Sequence, residues 1–212
     1  MTNFIPIFPL EIVVFPGEQL NLHIFEPRYK QLINECFEKK KPFGIPAVID
    51  NKLKEFGTLI NITEICKTYD NGEMDIKTEG LDVFRILEVI KEIPDKLYSG
   101  AIVNYLTNQQ RGNNAVMKQL VEKMRDLHRR LNVNKNFSKA DNELSVFDIA
   151  HHAGLTLHQE YELLQLSEEK QRQEYLKRHF DNAAAVIEEQ EAIREKIQMN
   201  GHFRELNTKF DF

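Results

Sequence analysis

Leu20, Leu22 and Ile24 alternate with Asn21 and His23, the period-2 pattern of a strand with one face in a core and the other in water. A second strand is predicted through Thr58-Leu-Ile-Asn-Ile-Thr-Glu-Ile65. It runs into Tyr69-Asp-Asn-Gly-Glu73, where Asn71-Gly72 signals a hairpin because both residues tolerate positive φ. The return strand places Met74, Ile76 and Thr78 on one face, and Val83–Ile90 and Ala101–Leu106 supply two more strands. Short strands with turns between them predict a curled sheet or partly closed barrel. One helix interrupts them. After Pro27, which suits a first helical position, Tyr29, Leu32/Ile33 and Cys36/Phe37 recur at helical spacing on one apolar face.

Beyond residue 112 the period changes to that of helices. Val116, Leu120, Met124, Leu127 and Leu131 form a stripe after a cap at Asn113 or Asn114. Ser145 opens a short helix through Phe147 and Ala150, stopped by Gly154. Thr156-Leu-His-Gln159 is a capping box for a helix through Leu163 and Leu164. Ser167 caps a long last helix predicted to reach Asn200-Gly201. Its seam of Leu176, Phe180, Ala183/Ala184 and Ile187 thins beyond Glu188, so its far end is expected to leave the bundle and project into solvent.

Proline and glycine draw the same division. All seven prolines and seven of the nine glycines precede residue 113, where strands and turns are expected, and the polar segment Thr107–Gly112 marks the boundary. Two subdomains follow, 1–106 and 113–212. The net charge of −5 is spread over both parts and leaves no basic surplus for phosphate backbones, so nucleic acid is not an expected partner. No glycine pair has the G-x-x-x-x-G-K-[ST] spacing of a nucleotide cradle. The first ten residues lack a basic n-region, and no apolar run approaches the ~20 residues of a membrane span. Cys36 and Cys66, each among apolar neighbours, read as buried free thiols in a reducing cytoplasm.

Catalytic chemistry finds little support. Adjacent helical residues point about 100° apart, so His151 and His152 do not share a metal easily, and neither H-E-x-x-H nor G-x-S-x-G occurs. His23, His128, His179 and His202 stand isolated, and the glutamates read as solvated helix faces. Asp148–Tyr161 has the outline of a helix-turn-helix, but its second helix carries Glu160 and Glu162 and no Lys or Arg. A plain αα-hairpin is the better reading. No catalytic residue, cofactor or metal site is assigned.

The most specific pattern is N-terminal. Phe8-Pro-Leu10, Phe15-Pro-Gly17 and Leu22-His-Ile-Phe-Glu-Pro-Arg-Tyr29 are followed by Gly57-Thr58, Asn71-Gly72, Gly80 and Phe84-Arg-Ile86. In this order they resemble the substrate-binding domain found at the N-terminus of the ATP-dependent Lon protease and also as a stand-alone protein. The resemblance is good over residues 3–106 and looser beyond, through Phe147-Asp-Ile-Ala150 and Tyr161-Glu-Leu-Leu164.

The resemblance implies an α+β fold: a PUA-like β-barrel with one inserted helix, then a helical bundle ending in a long C-terminal helix. It also implies a non-catalytic module that recognises unfolded or exposed protein segments, with the ATPase and peptidase domains missing from this chain. Phe25, Glu26, Arg28 and Lys30 are the candidate substrate-binding residues, since a helix start presents polar groups beside an apolar surface. Structural roles compete for every residue of the pattern, Glu26, Arg28 and Lys30 included. Phe8, Pro9, Phe15 and Pro16 shape and bury the first strand, Gly17, Gly57 and Gly72 make turns, and Arg85 pairs with a barrel carboxylate. Partner expectations extend to a protease or ATPase and to self-association through the C-terminal helix. Alternatives are an accessory component of an ATP-dependent peptidase or a nucleic-acid-binding PUA-like regulator.

Overall fold

A computed structural model describes the chain except residues 1, 132, 134–136, 138 and 208–212, and describes no side chains at 2, 190–191, 194–195 and 198–207. Six strands, β1 (Thr2–Pro6), β2 (Gln19–Ile24), β3 (Phe43–Ile49), β4 (Lys52–Thr68), β5 (Met74–Ile90) and β6 (Gly100–Tyr105), form one antiparallel sheet. Its order is β1-β6-β5-β4-β3, with β2 added along the first part of β5. The segment after β1 makes parallel bridges to β3 at Ile7–Gly44 and Leu10–Ala47, and Val48 N–H donates to the Leu10 carbonyl at 2.8 Å. Those bridges join the two ends of the sheet, and closure leaves fewer unpaired edges.

The hairpin at Asn71-Gly72 forms, with Gly72 alone at positive φ (+76°) and its N–H donating to the Tyr69 carbonyl, whereas Asn71 does not take the positive φ expected of it. Met74, Ile76 and Thr78 point inward. The two expected strands 74–78 and 83–90 are one continuous strand, β5. Gly80 lets that strand pass the segment before β2, because a Cβ there would fall on the Phe15 carbonyl oxygen. Two strands, β1 and β3, were not expected. β3 carries Pro46 opposite Gly57, beside a register shift that removes the need for a proline N–H.

α1 (Pro27–Glu38) buries Tyr29, Leu32, Ile33 and Cys36 against Phe8, Phe43, Ile60 and Ile76, and Phe8 stacks on Tyr29 with ring centroids 3.9 Å apart. Phe37, expected on that face, is exposed at its margin. Burial pushes the Cys36 thiol up to about 11, whereas Cys66 is exposed on β4, against expectation. Position 66 falls at a register shift of β4 on β5, between the pairs Ile65–Ile76 and Lys67–Asp75.

The helices are α2 (Asn114–Arg130), α3 (Val146–Ile149), α4 (Leu157–Gln165) and α5 (Glu169–Asn207). Asn113 caps α2, accepting from Ala115 N–H at 2.9 Å, and capping boxes open α3 (Ser145 with Asp148) and α4 (Thr156 with Gln159). The buried face of α2 is Met117, Leu120, Val121, Met124 and His128. The predicted stripe is therefore rotated: Val116 and Leu127 sit at its edges and Leu131 lies exposed. His128 is accommodated because its Nε2 meets the His152 carbonyl at 2.7 Å.

α5 starts two residues beyond Ser167, which does not cap it. The Ser167 carbonyl accepts from Gln109 N–H, and Glu168 takes the cap position through its carbonyl. The helix also passes Gly201. One core cluster joins the two halves, with Val13, Phe15, Ala47, Ile49 and Val83 of the barrel packed with Phe147, Leu163, Leu176 and Phe180. Phe15 stacks on Phe147 at 5.0 Å.

Candidate functional site

The register of β2 on β5 pairs Ile24 with Met74 and His23 with Asp75. Since Ile24 and Met74 face the core, His23 and Asp75 face solvent together. His23 Nδ1 lies 2.7 Å from Asp75 Oδ1, and its Nε2 lies 3.3 Å from Glu73 Oε2. Tyr69 donates its hydroxyl to Asp75 Oδ2 at 2.7 Å, and the Lys67 ammonium sits 4.2 Å from the Tyr69 ring centroid. The Asp75 hydrogen bond, with help from Glu73, raises the His23 pKa above its usual 6.5. Hydrogen bonds from His23 and Tyr69 hold Asp75 below the usual range, and the same bond raises the Tyr69 phenol.

Against this cluster lies the start of α1. Phe25 is 59% exposed, with its ring 6.2 Å from that of His23 and nearly parallel to it. Arg28 Nε donates to Glu26 Oε2 at 2.8 Å, and the guanidinium lies 4.5 Å over the Tyr29 ring. Lys30 Nζ turns away and donates to the Asn71 carbonyl at 3.0 Å, tying α1 to the hairpin. Of the four candidates, Phe25 lies beside His23, Glu26 and Arg28 pair with each other at the helix start, and Lys30 is tied to the hairpin that carries Tyr69 and Glu73.

His23 was expected to be isolated and is the hub of the patch. Tyr69 and Glu73 were read only as the ends of the hairpin segment, and Asp75 was not singled out. The hairpin signal places them near one another, but only the β2–β5 pairing brings His23 to them. The groups within hydrogen-bond reach of the His23 ring are the carboxylates of Asp75 and Glu73. The patch offers an exposed ring, a half-exposed histidine and a paired Glu–Arg, groups suited to holding a peptide by contact and hydrogen bonds.

Other polar clusters serve cohesion. His151 lies between Glu160 Oε1 (2.7 Å) and Glu18 Oε2 (3.0 Å), joining α4 to the loop before β2. Burial works to lower its pKa, but the two carboxylates outweigh it and raise it to about 9. The expectation that the glutamates are all solvated fails at Glu169, which is buried against Arg172. Arg85 pairs with Glu55 at 2.8 Å, as anticipated for a barrel carboxylate. Among the described residues no helix is long and apolar enough to cross a membrane, and no cluster of three His, Cys, Asp or Glu is placed to hold a metal.

Two solved structures share this architecture. A Lon N-terminal domain protein from Xanthomonas campestris superposes with a TM-score of 0.62 at 22% identity, covering 82% of this chain and 96% of that one. The N-terminal domain of Mycobacterium avium complex Lon protease gives 0.63 at 13% identity, covering 84% and 98%. At these identities the likeness is one of fold. The family model described as the ATP-dependent protease La (LON) substrate-binding domain matches residues 5–182, through barrel and helices alike. The chain thus belongs to the LON substrate-binding domain family.

Proposed function

We propose that this chain is a non-catalytic module that captures exposed segments of other proteins at the patch around Phe25. The observation that carries this reading is Phe25 itself, a large apolar ring 59% exposed beside charged and hydrogen-bonding groups that leave it uncovered. Such a ring supplies contact area to an apolar side chain, while Arg28, Glu26 and His23 meet the polar backbone of an extended peptide. A barrel over residues 1–106 and a helical part over 113–212 then act as one support, because the core they share holds the patch on a rigid base. The exposed Cys66 thiol suits a reducing cytoplasm, and a protease or separate ATPase is the class of partner to which a captured segment would pass.

Fluorescence anisotropy with a labelled, permanently unfolded polypeptide tests this. The unfolded form is expected to bind and its native form not to. Phe25→Ser is expected to weaken binding about tenfold or more, the scale of losing an interface anchor of 1–2 kcal/mol. Lys30→Ala is expected to change it far less. Equal affinity of wild type and Phe25→Ser would refute the assignment of the patch.

A further inference from the structure

Past the bundle, α5 carries a second apolar stripe that nothing in the described chain covers. Val186, Ile193 and Ile197 are 54%, 49% and 64% exposed. At 3.6 residues per turn they fall within about 40° of one another around the helix. Their spacing of seven and four is that of coiled-coil seam positions. Glu189 and Lys196 lie together on one flank of that stripe, both exposed and neither ion-paired among the described residues. At its base the stripe is continuous with a groove of about 1050 Å³ between α2, α4 and α5, whose apolar lining includes Leu131, Leu166, Tyr175 and Val186. The family match ends at residue 182, so the stripe lies outside the matched span.

We propose that the occupant of this face is α5 of a second copy of the chain, packed antiparallel. Reversing one copy about a two-fold axis between residues 191 and 192 lays Val186 against Ile197 of the other copy. The two Ile193 side chains then meet beside the axis. The same register sets each Glu189 on the same flank as the other copy's Lys196 and offset from it by two residues, about 3 Å along the axis, within reach of two identical ion pairs of the kind that set orientation in coiled coils. The antiparallel choice also answers the groove, since the far end of one α5 arrives where the other leaves its bundle and covers Leu131. A parallel pair would set the two bundles side by side and leave no helix end to fill either groove. This inference is independent of the peptide-binding patch, which lies on the barrel.

Light scattering of the full chain at about 100 µM, above the Kd expected of a weak dimer, tests the proposal. Twice the mass of a single chain is expected, falling to the single mass in Ile193→Asp with circular dichroism unchanged. Glu189→Lys is expected to dissociate the pair, and adding Lys196→Glu to restore it. With Cys66 replaced by serine, Val186→Cys with Ile197→Cys is expected to give a cross-linked dimer on oxidation, while either alone gives far less. A monomeric wild type overturns the proposal. So does a dimer indifferent to Ile193→Asp, or a charge swap that fails to restore association.

Discussion

Arg172 ties several segments of the helical half to α5. Its Nε donates to Glu169 Oε2 at 2.8 Å, Nη1 to the Leu166 carbonyl at 2.7 Å and Nη2 to the Gln109 carbonyl at 3.2 Å. Glu169 in turn accepts from Val146 N–H at 2.8 Å. The pair thereby stitches the 107–112 connection, the end of α4 and the start of α3 to α5, with Arg172 only 1% exposed. Arg172→Met keeps the bulk and strands a buried carboxylate, so urea unfolding is expected to show a loss of about 3–5 kcal/mol. His151 sets a pH dependence. With a folded pKa of about 9 against 6.5 unfolded, its contribution is full below pH 6.5 and is lost as pH rises through about 9. Thermal unfolding of wild type is expected to fall over that window, and His151→Gln to remove the fall. The His151 role was not legible beforehand, because His151 and Glu18 are 133 residues apart and meet only through the packing of the two halves. The Glu169–Arg172 spacing was legible as i,i+3, but its burial and the reach to Gln109 were not.

At the scale of elements, what the chain states locally it states clearly. The Asn71-Gly72 hairpin, the Asn113 cap, the Thr156–Gln159 box and Gly154 at φ +73° all rest on short-range chemistry and all formed as read, except that Asn71 does not take a positive φ. β3 was missed because Pro46 argues against a strand. That strand survives because Gly57 opposite lets the backbones approach closely. A Cβ at Gly57 would fall on the Ile45 carbonyl oxygen, so Gly57→Ala is expected to destabilise the barrel by about 1–3 kcal/mol, as overpacking does. Chemical denaturation read by far-UV circular dichroism checks this. Asp50 and Asn51, both at positive φ, make the β3–β4 turn, and that Asp-Asn pair is a signal the reading passed over. Ser167 failed as a cap for a non-local reason, since the helix starts two residues on and its Glu169 N–H donates to the Gln109 carbonyl of the 107–112 segment.

The whole molecule is a closed sheet and a helical bundle sharing one core, with a patch on the barrel and a bare stripe on the helix that leaves the bundle. The family and the α+β architecture were legible because their motifs lie in order along the first hundred residues. Of the candidate site, Phe25, Glu26 and Arg28 were readable from the helix start. His23, Tyr69 and Asp75 were not, since strand pairing alone assembles them. The central claim is that an exposed polypeptide segment docks on this assembled surface. Hydrogen exchange of the full chain, with and without a saturating unfolded polypeptide, tests it most directly. Slowed exchange is expected at residues 19–30 and 67–75, with the helical groove unchanged. Protection confined to the groove between α2, α4 and α5, or absent throughout, would contradict the account.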